Sequence, residues 1–194
     1  AAEYLGQLDG EIGDGDHGHT MSRGFSAVVK ALNHIDTHAT DISSLLALCA
    51  ESFLDAVGAT TGPLYASGLL KAANFANGRA TLDAGEAPLL LLAICEGIAE
   101  RGQAIVGDKT MMDVWMPVGQ SVKSLKQEAR PLIEVLAEIK MVANRGAEST
   151  RSMTAVRGRA ARLGDRSLGH IDPGAASAAI LIACFIDVLE QRVG

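Results

Sequence analysis

The sequence predicts an all-α protein. Apolar residues recur at helical spacing along most of the chain, period-two alternation is scarce, and glycines gather between the periodic stretches. Hydrophobic residues make up 48% of the chain but aromatics only 4%. Its core must therefore be built mainly from Ala, Leu, Ile and Val, a composition suited to closely packed helices. The 194 residues are enough for one domain with its own core, and 1–194 reads as a single domain.

The elements follow in order. The chain opens inside a helix over residues 1–8 that looks clipped at its start, so upstream sequence is expected. Ile42, Leu45, Leu46, Cys49, Phe53 and Val57 then fall on one buried helical face, with Asp41 as N-cap. Gly62-Pro63 starts the next helix, where Leu64, Leu69, Leu70 and Ala73 supply apolar contacts and Pro63 suits a first turn. Residues 88–101 are apolar nearly all round and read as a well-buried helix. Another helix is expected from Asp108 to about Gln127, kinked at Pro117. Residues 131–151 form an amphipathic helix that can run on toward Arg157, and Asp172-Pro173 caps a final helix through Arg192. Glycines cluster at 10–18, 58–62, 102–107 and 158–174, all expected inter-helix loops. A plain bundle needs about one glycine per helix end, so these loops read as built for close backbone approach to a ligand.

The formal net charge is −6. An acidic chain repels phosphate backbones, which argues against nucleic acid as a partner. A bound anion such as ATP would need local attraction from a metal, helix N-termini or a few arginines. Cys49, Cys95 and Cys184 are far apart in apolar stretches and read as small buried hydrophobes in a reducing compartment. The longest apolar run, 88–94, is too short to span a bilayer, and no signal peptide is visible. The expected location is the cytoplasm, without a membrane.

The strongest chemical motif is LDGEIGDGDHG at 8–18. Asp14 and Asp16 would diverge on a regular helix, but Gly13, Gly15 and Gly18 allow a tight turn on which both carboxylates converge, with Asp9 within reach. Three carboxylates without His or Cys support suit Mg²⁺ or Ca²⁺ rather than zinc. The EF-hand pattern and its terminal Glu are missing, so Mg²⁺ with phosphate oxygens fits better. The alternative is that Asp14 and Asp16 merely cap the following helix. Gly58-Ala59-Thr60-Thr61-Gly62-Pro63 offers N–H groups, hydroxyls and a helix N-terminus to an anion. Gly107-Asp108-Lys109-Thr110 lacks the full Walker pattern and a preceding strand, and reads as a capped helix start. Residues 157–174 carry four arginines, His170 and Asp172, and read either as a phosphate-neutralising loop or as a solvated surface. His34 and His38 read as surface residues. No nucleophile-and-base constellation is visible, so no catalytic side chain is assigned. Phosphoryl transfer, which needs mainly positioning and positive charge, fits that lack.

Together, IGDGDHG at 12–18, TGPLY at 61–65, GDKTMMDVW at 107–115 and GRAARLGDRSLGHIDPGAAS at 158–177 resemble the nucleotide-binding L subunit, or L domain, of dihydroxyacetone (glycerone) kinases. Four motifs in the right order cover nearly the whole chain. The resemblance implies an antiparallel up-and-down barrel of eight amphipathic helices, its first stave clipped here, with the nucleotide site in the loops at one end. It implies two Mg²⁺ ions held by Asp9, Asp14 and Asp16. It places ADP or ATP contacts on His17, Gly18, Thr20, Thr60, Thr61, Gly102, Met111, Arg159, Asp172, Pro173 and Gly174. The implied activity is phosphoryl donation to a ketose held by a separate K subunit, with a phosphotransferase-system protein as a further partner where ADP is recharged in place. Related kinases act on erythrulose or other ketoses, or on fatty acids; the fatty-acid branch has Thr where His17 stands. A nucleotide-dependent regulatory module is the non-enzymatic alternative. The chain departs from the family at Thr20, often Asn, and at Ala59 and Thr61, often Gly and Ser.

Overall fold

A computed structural model describes residues 1–125 and 130–193. Among the described residues there are eight α-helices, two 3₁₀ segments and no strand, as the periodicity predicts. The α-helices are α1 (Ala2–Ile12), α2 (His17–Leu32), α3 (Ile42–Ala56), α4 (Thr61–Phe75), α5 (Pro88–Gly102), α6 (Met112–Leu125), α7 (Leu132–Ser149) and α8 (Pro173–Val193). The 3₁₀ segments are Thr150–Ser152 and Ala160–Ser167. The chain divides into two compact units, one of Ala1–His19 with Ala104–Gly194 and one of Thr20–Gln103.

In the Thr20–Gln103 unit, α4 packs against both α3 and α5. Asp41 caps α3 as expected, accepting the Ser44 N–H at 3.0 Å. Phe53 packs edge-to-face with Phe25 at 5.1 Å and with Tyr65 at 5.6 Å between ring centroids. Phe53 and Val57 are buried, whereas Ile42, Leu45, Leu46 and Cys49 are only half-buried. On α4, small residues do the packing: Ala66, Gly68, Ala72 and Ala73 are buried with Tyr65, while Leu70, expected inside, is 48% exposed. The reason lies at the α4–α5 crossing. A Cβ on Gly97 would lie 2.8 Å from the Gly68 Cα, so the two backbones meet without side chains between them. Leu70 lies two residues from Gly68, and so on another face of the helix. The all-round apolar α5 buries Pro88, Leu91, Ala93, Cys95, Gly97 and Ile98 and leaves Leu89, Leu90, Leu92 and Ile94 half-buried.

In the other unit, α7 packs against α6 and α8, and α1 and α6 also touch α8. Its core joins Val114, Val118 and Val122 of α6 to Leu136, Ile139 and Ala143 of α7 and Ala175, Ala178, Ile182 and Ile186 of α8, all buried. Leu5 and Leu8 of α1 pack with Ile171 and Ala176, which ties the first helix to the start of the last. Helix α1 is longer than expected, running to Ile12 instead of ending at Leu8. Helix α6 begins later than expected, at Met112 and not Asp108, because Lys109 has φ +59° and breaks helical geometry. The expected end near Gln127 lies outside the described residues. Helix α7 stops at Ser149 and tightens into a 3₁₀ turn instead of continuing to Arg157. Cys184 is exposed, not buried as expected, while Cys95 is buried and Cys49 half-buried. Residues 173–192 of α8 are long and apolar enough by length and composition to cross a membrane, with a mean hydropathy of 1.7. The 88–94 run is thus not the longest apolar run, since 178–186 is longer, and α8 serves as the core helix of its unit.

Several glycines expected in loops stand inside first or last helical turns, among them Gly18, Gly62, Gly102 and Gly174. A Cβ on Gly62 would overlap the Val57 carbonyl. The preceding Ala59 has φ +54°, a left-handed conformation that disfavours any side chain. Ala59→Gly is therefore expected to raise stability by about 1 kcal/mol, read as a higher Tm. Gly97→Leu is expected to lower stability by about 1–3 kcal/mol through overpacking at the α4–α5 crossing, read by denaturant unfolding; an unchanged midpoint would refute the close crossing.

Candidate functional site

The last turn of α1 carries Asp9, which is only 8% exposed. Gly13 ends the helix, its N–H donating to the Asp9 carbonyl at 2.5 Å, and a Cβ there would overlap the Asp9 carboxylate. Gly15, at φ +79°, turns the chain back. Asp14 and Asp16 are thereby returned toward Asp9, and oxygens of all three lie within 4.8 Å of one another. The first N–H of α2, from His17, donates to Asp9 Oδ2 at 3.1 Å. Gly18 is buried where a Cβ would overlap the Ala2 carbonyl, so the start of α2 lies directly on α1.

Like charges this close repel. Two unit charges about 4 Å apart cost roughly 1 kcal/mol in water and about 4 kcal/mol near a protein surface. Arg159 answers part of that charge, forming an ion pair with Asp14 and standing 3.5 Å from Asp16. Three convergent hard oxygen donors, two of them exposed, fit a small divalent cation that keeps part of its shell for other oxygen ligands.

His17 extends the cluster inward. Its Nε2 is 2.9 Å from Ser177 Oγ, and that hydroxyl donates to the Gly174 carbonyl at 2.9 Å. With its proton committed, the hydroxyl accepts from Nε2–H, which sets the imidazole tautomer. Burial pulls the His17 pKa down, against the opposing pull of Asp9 and Asp16.

A second group of segments surrounds Gly174. Asp172 caps α8, its Oδ2 accepting the Ala175 N–H at 2.7 Å, and its own N–H donates to Thr150 Oγ1 at 2.9 Å. A Cβ on Gly174 would lie 3.6 Å from the Met111 nitrogen, so the two backbones run side by side. Met111 is held by a capping box: Thr110 Oγ1 accepts the Met112 N–H at 3.1 Å, and Asp113 Oδ2 accepts the Thr110 N–H at 2.8 Å. Asp113 Oδ1 takes the Gly107 N–H as well, at 2.6 Å. Asp108 accepts from the Ile105 N–H at 3.1 Å and from Arg157 Nε at 2.7 Å, and these bonds hold its carboxyl below the usual range. Burial pushes Asp172 up to about 7, helped by Asp113 and Asp9 and opposed by the Ala175 N–H and Lys109.

The structure thus brings together Asp9, Asp14, Asp16, His17, Gly18 and Arg159, and joins them through Ser177 to Met111, Asp172, Pro173 and Gly174. The other expected residues belong to the Thr20–Gln103 unit. There Thr60 and Thr61 start α4 and Gly102 ends α5, with Leu64 packed where a Gly102 Cβ would stand; Thr20 lies in the first turns of α2. Sequence reading missed Ser177, Lys109, Thr150 and Asp113. The Thr110-to-Asp113 spacing was a usable signal for the last, since it is that of a capping box. Ser177 closes the 158–177 motif, but inside an alanine-rich helix nothing local points to its bond with His17.

The DAK2 domain family matches residues 11–187. The PEP-dependent dihydroxyacetone kinase ADP-binding subunit DhaL of Escherichia coli K12 is 40% identical over 91% of this chain and 83% of its own length. The ADP-binding subunit DhaL of PEP-dependent dihydroxyacetone kinase 2 from Listeria innocua is 36% identical, over 98% of this chain and 88% of its own length. Among solved structures, the C. freundii dihydroxyacetone kinase in complex with AMP-PNP and Mg2+ superposes with a TM-score of 0.72, covering 96% of this chain and 30% of that one at 23% identity, a likeness of fold.

The raised Asp172 pKa makes stability pH-dependent. Below its ordinary value of 3.8 the carboxyl is neutral whether folded or unfolded. Between there and about 7 the folded chain holds a proton that the unfolded chain releases, so this contribution is lost as pH rises. Asp172→Asn, which keeps a capping oxygen without the charge, is expected to leave Tm unchanged near pH 4. By pH 8 it should stabilise the metal-free chain by at least about 1 kcal/mol. Parallel melts of the two proteins across that range check it.

Proposed function

The chain belongs to the DAK2 domain family, and on that premise we propose that it is the phosphoryl-donor subunit of a dihydroxyacetone kinase, working as a magnesium–nucleotide carrier. One observation carries this reading: Asp9, Asp14 and Asp16 converge on a glycine-built turn, with Arg159 beside them. The names of the similar subunits, dihydroxyacetone kinase and ADP-binding, support it.

The three aspartates would hold Mg²⁺, with two ions as the finer proposal. When bound, the metal supplies charge neutralisation for the phosphates during transfer. The chain's own residues do the rest. Asp9 is oriented by the His17 N–H, and the Gly13 and Gly15 backbone sets the angle at which Asp14 and Asp16 meet it. Arg159, already paired with two of the aspartates, is the cation placed to meet phosphate oxygens. The Gly18 N–H at the start of α2 offers a donor to the same anion, beside His17, whose ring N–H is already given to Ser177. Met111, Asp172, Pro173 and Gly174 form a compact backbone edge suited to a base and ribose. Thr20, Thr60, Thr61 and Gly102 are proposed as further nucleotide contacts on the family resemblance. Thr60 and Thr61 bring hydroxyls at a helix N-terminus, where Thr60 makes no side-chain capping bond.

No nucleophilic side chain is required, because the attacking hydroxyl belongs to a ketose presented by a separate K subunit. The PEP-dependent names of the relatives favour resident ADP, recharged in place by a phosphotransferase-system protein in the cytoplasm.

Calorimetric titration of ADP and ATP with and without Mg²⁺ tests the reading. Tight, magnesium-dependent binding is expected, together with co-purified ADP that resists exchange. Asp14→Asn is expected to weaken Mg-nucleotide binding tenfold or more, at least about 1.4 kcal/mol, and to abolish transfer with the helical circular dichroism intact. Unchanged transfer in that variant would remove the metal assignment.

A further inference from the structure

Lys109 and Asp113 are buried charged groups that the proposed chemistry does not use, and Lys109 is the cation of the two. Only 1% exposed, it stands at φ +59°, where glycine would be the easier residue, so its side chain must supply something that glycine cannot. Its Nζ donates to the Thr150 carbonyl and to the His170 carbonyl, each at 2.6 Å. The first lies just past the C-terminal end of α7, where helix carbonyls lack intrahelical partners and a cation is favoured. The second lies two residues before Asp172. Burial lowers the Lys109 pKa while the nearby Asp172 raises it.

These bonds tie three separate segments to one atom: the loop before α6, the turn after α7 and the entry to α8. Thr150 doubles the tie, because its hydroxyl accepts the Asp172 N–H at 2.9 Å while its carbonyl accepts from Lys109. Two residues after Lys109 comes Met111, whose nitrogen runs beside Gly174. A lysine in a GDKT sequence invites comparison with phosphate-loop lysines. Here the ammonium is committed to two backbone carbonyls.

We propose that Lys109 is a positioning residue for nucleotide binding: its buried ammonium clamps the Met111 segment against the Asp172–Gly174 turn and so sets the shape of the base-and-ribose edge. This rests on the nucleotide reading above. It predicts a division of labour, because the two described hydrogen bonds of the Lys109 ammonium go to Thr150 and His170 and not to Asp9, Asp14 or Asp16.

The test is Lys109→Met in the full chain, with Mn²⁺ binding alone followed by electron paramagnetic resonance and Mn-ADP binding by calorimetry. The expected result is Mn²⁺ affinity within twofold of the parent and Mn-ADP affinity reduced tenfold or more. Unchanged Mn-ADP affinity would overturn the clamp, and so would an equal loss of Mn²⁺ and Mn-ADP affinity, which marks a general structural defect. Should Lys109→Met not fold, Thr150→Val removes the second tie to the same turn and must give the same selective loss. If the parent chain binds Mn²⁺ but no nucleotide, the functional reading itself fails, and the clamp's role with it.

Discussion

Three carboxylates whose oxygens lie within 4.8 Å of one another are held together against their own repulsion, and much of the surrounding backbone is shaped by that requirement. Arg159 and the His17 N–H offset part of that repulsion, and a set of exclusions leaves the room for the close approach. Gly13 has no Cβ because the Asp9 carboxylate occupies its place, and Gly18 has none because the α1 backbone does. Leu5 and Leu8, on the same helix as Asp9, anchor that helix to Ile171 and Ala176. The acidic turn is thus fastened to the apolar core through one short helix. A preorganised cluster of this kind has its electrostatic cost met on folding, so a cation that binds it relieves strain instead of creating order.

The unit's second theme is indirect support. Asp9 touches His17, His17 touches Ser177, and Ser177 touches Gly174, so the acidic turn and the Met111 edge share one hydrogen-bonded path. Lys109, Thr150 and Asp113 then hold the loops that carry Met111 and Asp172. None of these supporting groups needs contact with a ligand for its loss to be felt at the site.

The sequence disclosed helices and acidic turn well, and supports poorly, for physical reasons. Helical periodicity is local and survives any packing, so the α3 cap at Asp41 and the α8 cap at Asp172 were both readable. The glycines around Asp14 and Asp16 pointed correctly to a convergent turn. Burial was harder to read, because it depends on which faces meet: Leu70 looked like core until Gly68 and Gly97 brought two helices together on another face. Helix ends failed where side chains from distant segments intervened. Lys109, in a left-handed conformation and bonded to carbonyls 41 and 61 positions away, delays α6 in a way no local window contains. Ser177 was invisible for the same reason, since its partner His17 is 160 positions distant.

The unit that holds the acidic turn is built from both ends of the chain, Ala1–His19 and Ala104–Gly194, while Thr20–Gln103 forms the other unit from one continuous stretch. During synthesis the consequence is an inverted schedule. The continuous stretch can pair α4 with α3 and α5 once the ribosome has released it, whereas α1 must wait for α8 before Leu5 and Leu8 find Ile171 and Ala176. Until then the newborn chain trails an apolar, acid-tipped segment with nowhere to dock. The carboxylate cluster can settle only after α8 has been made.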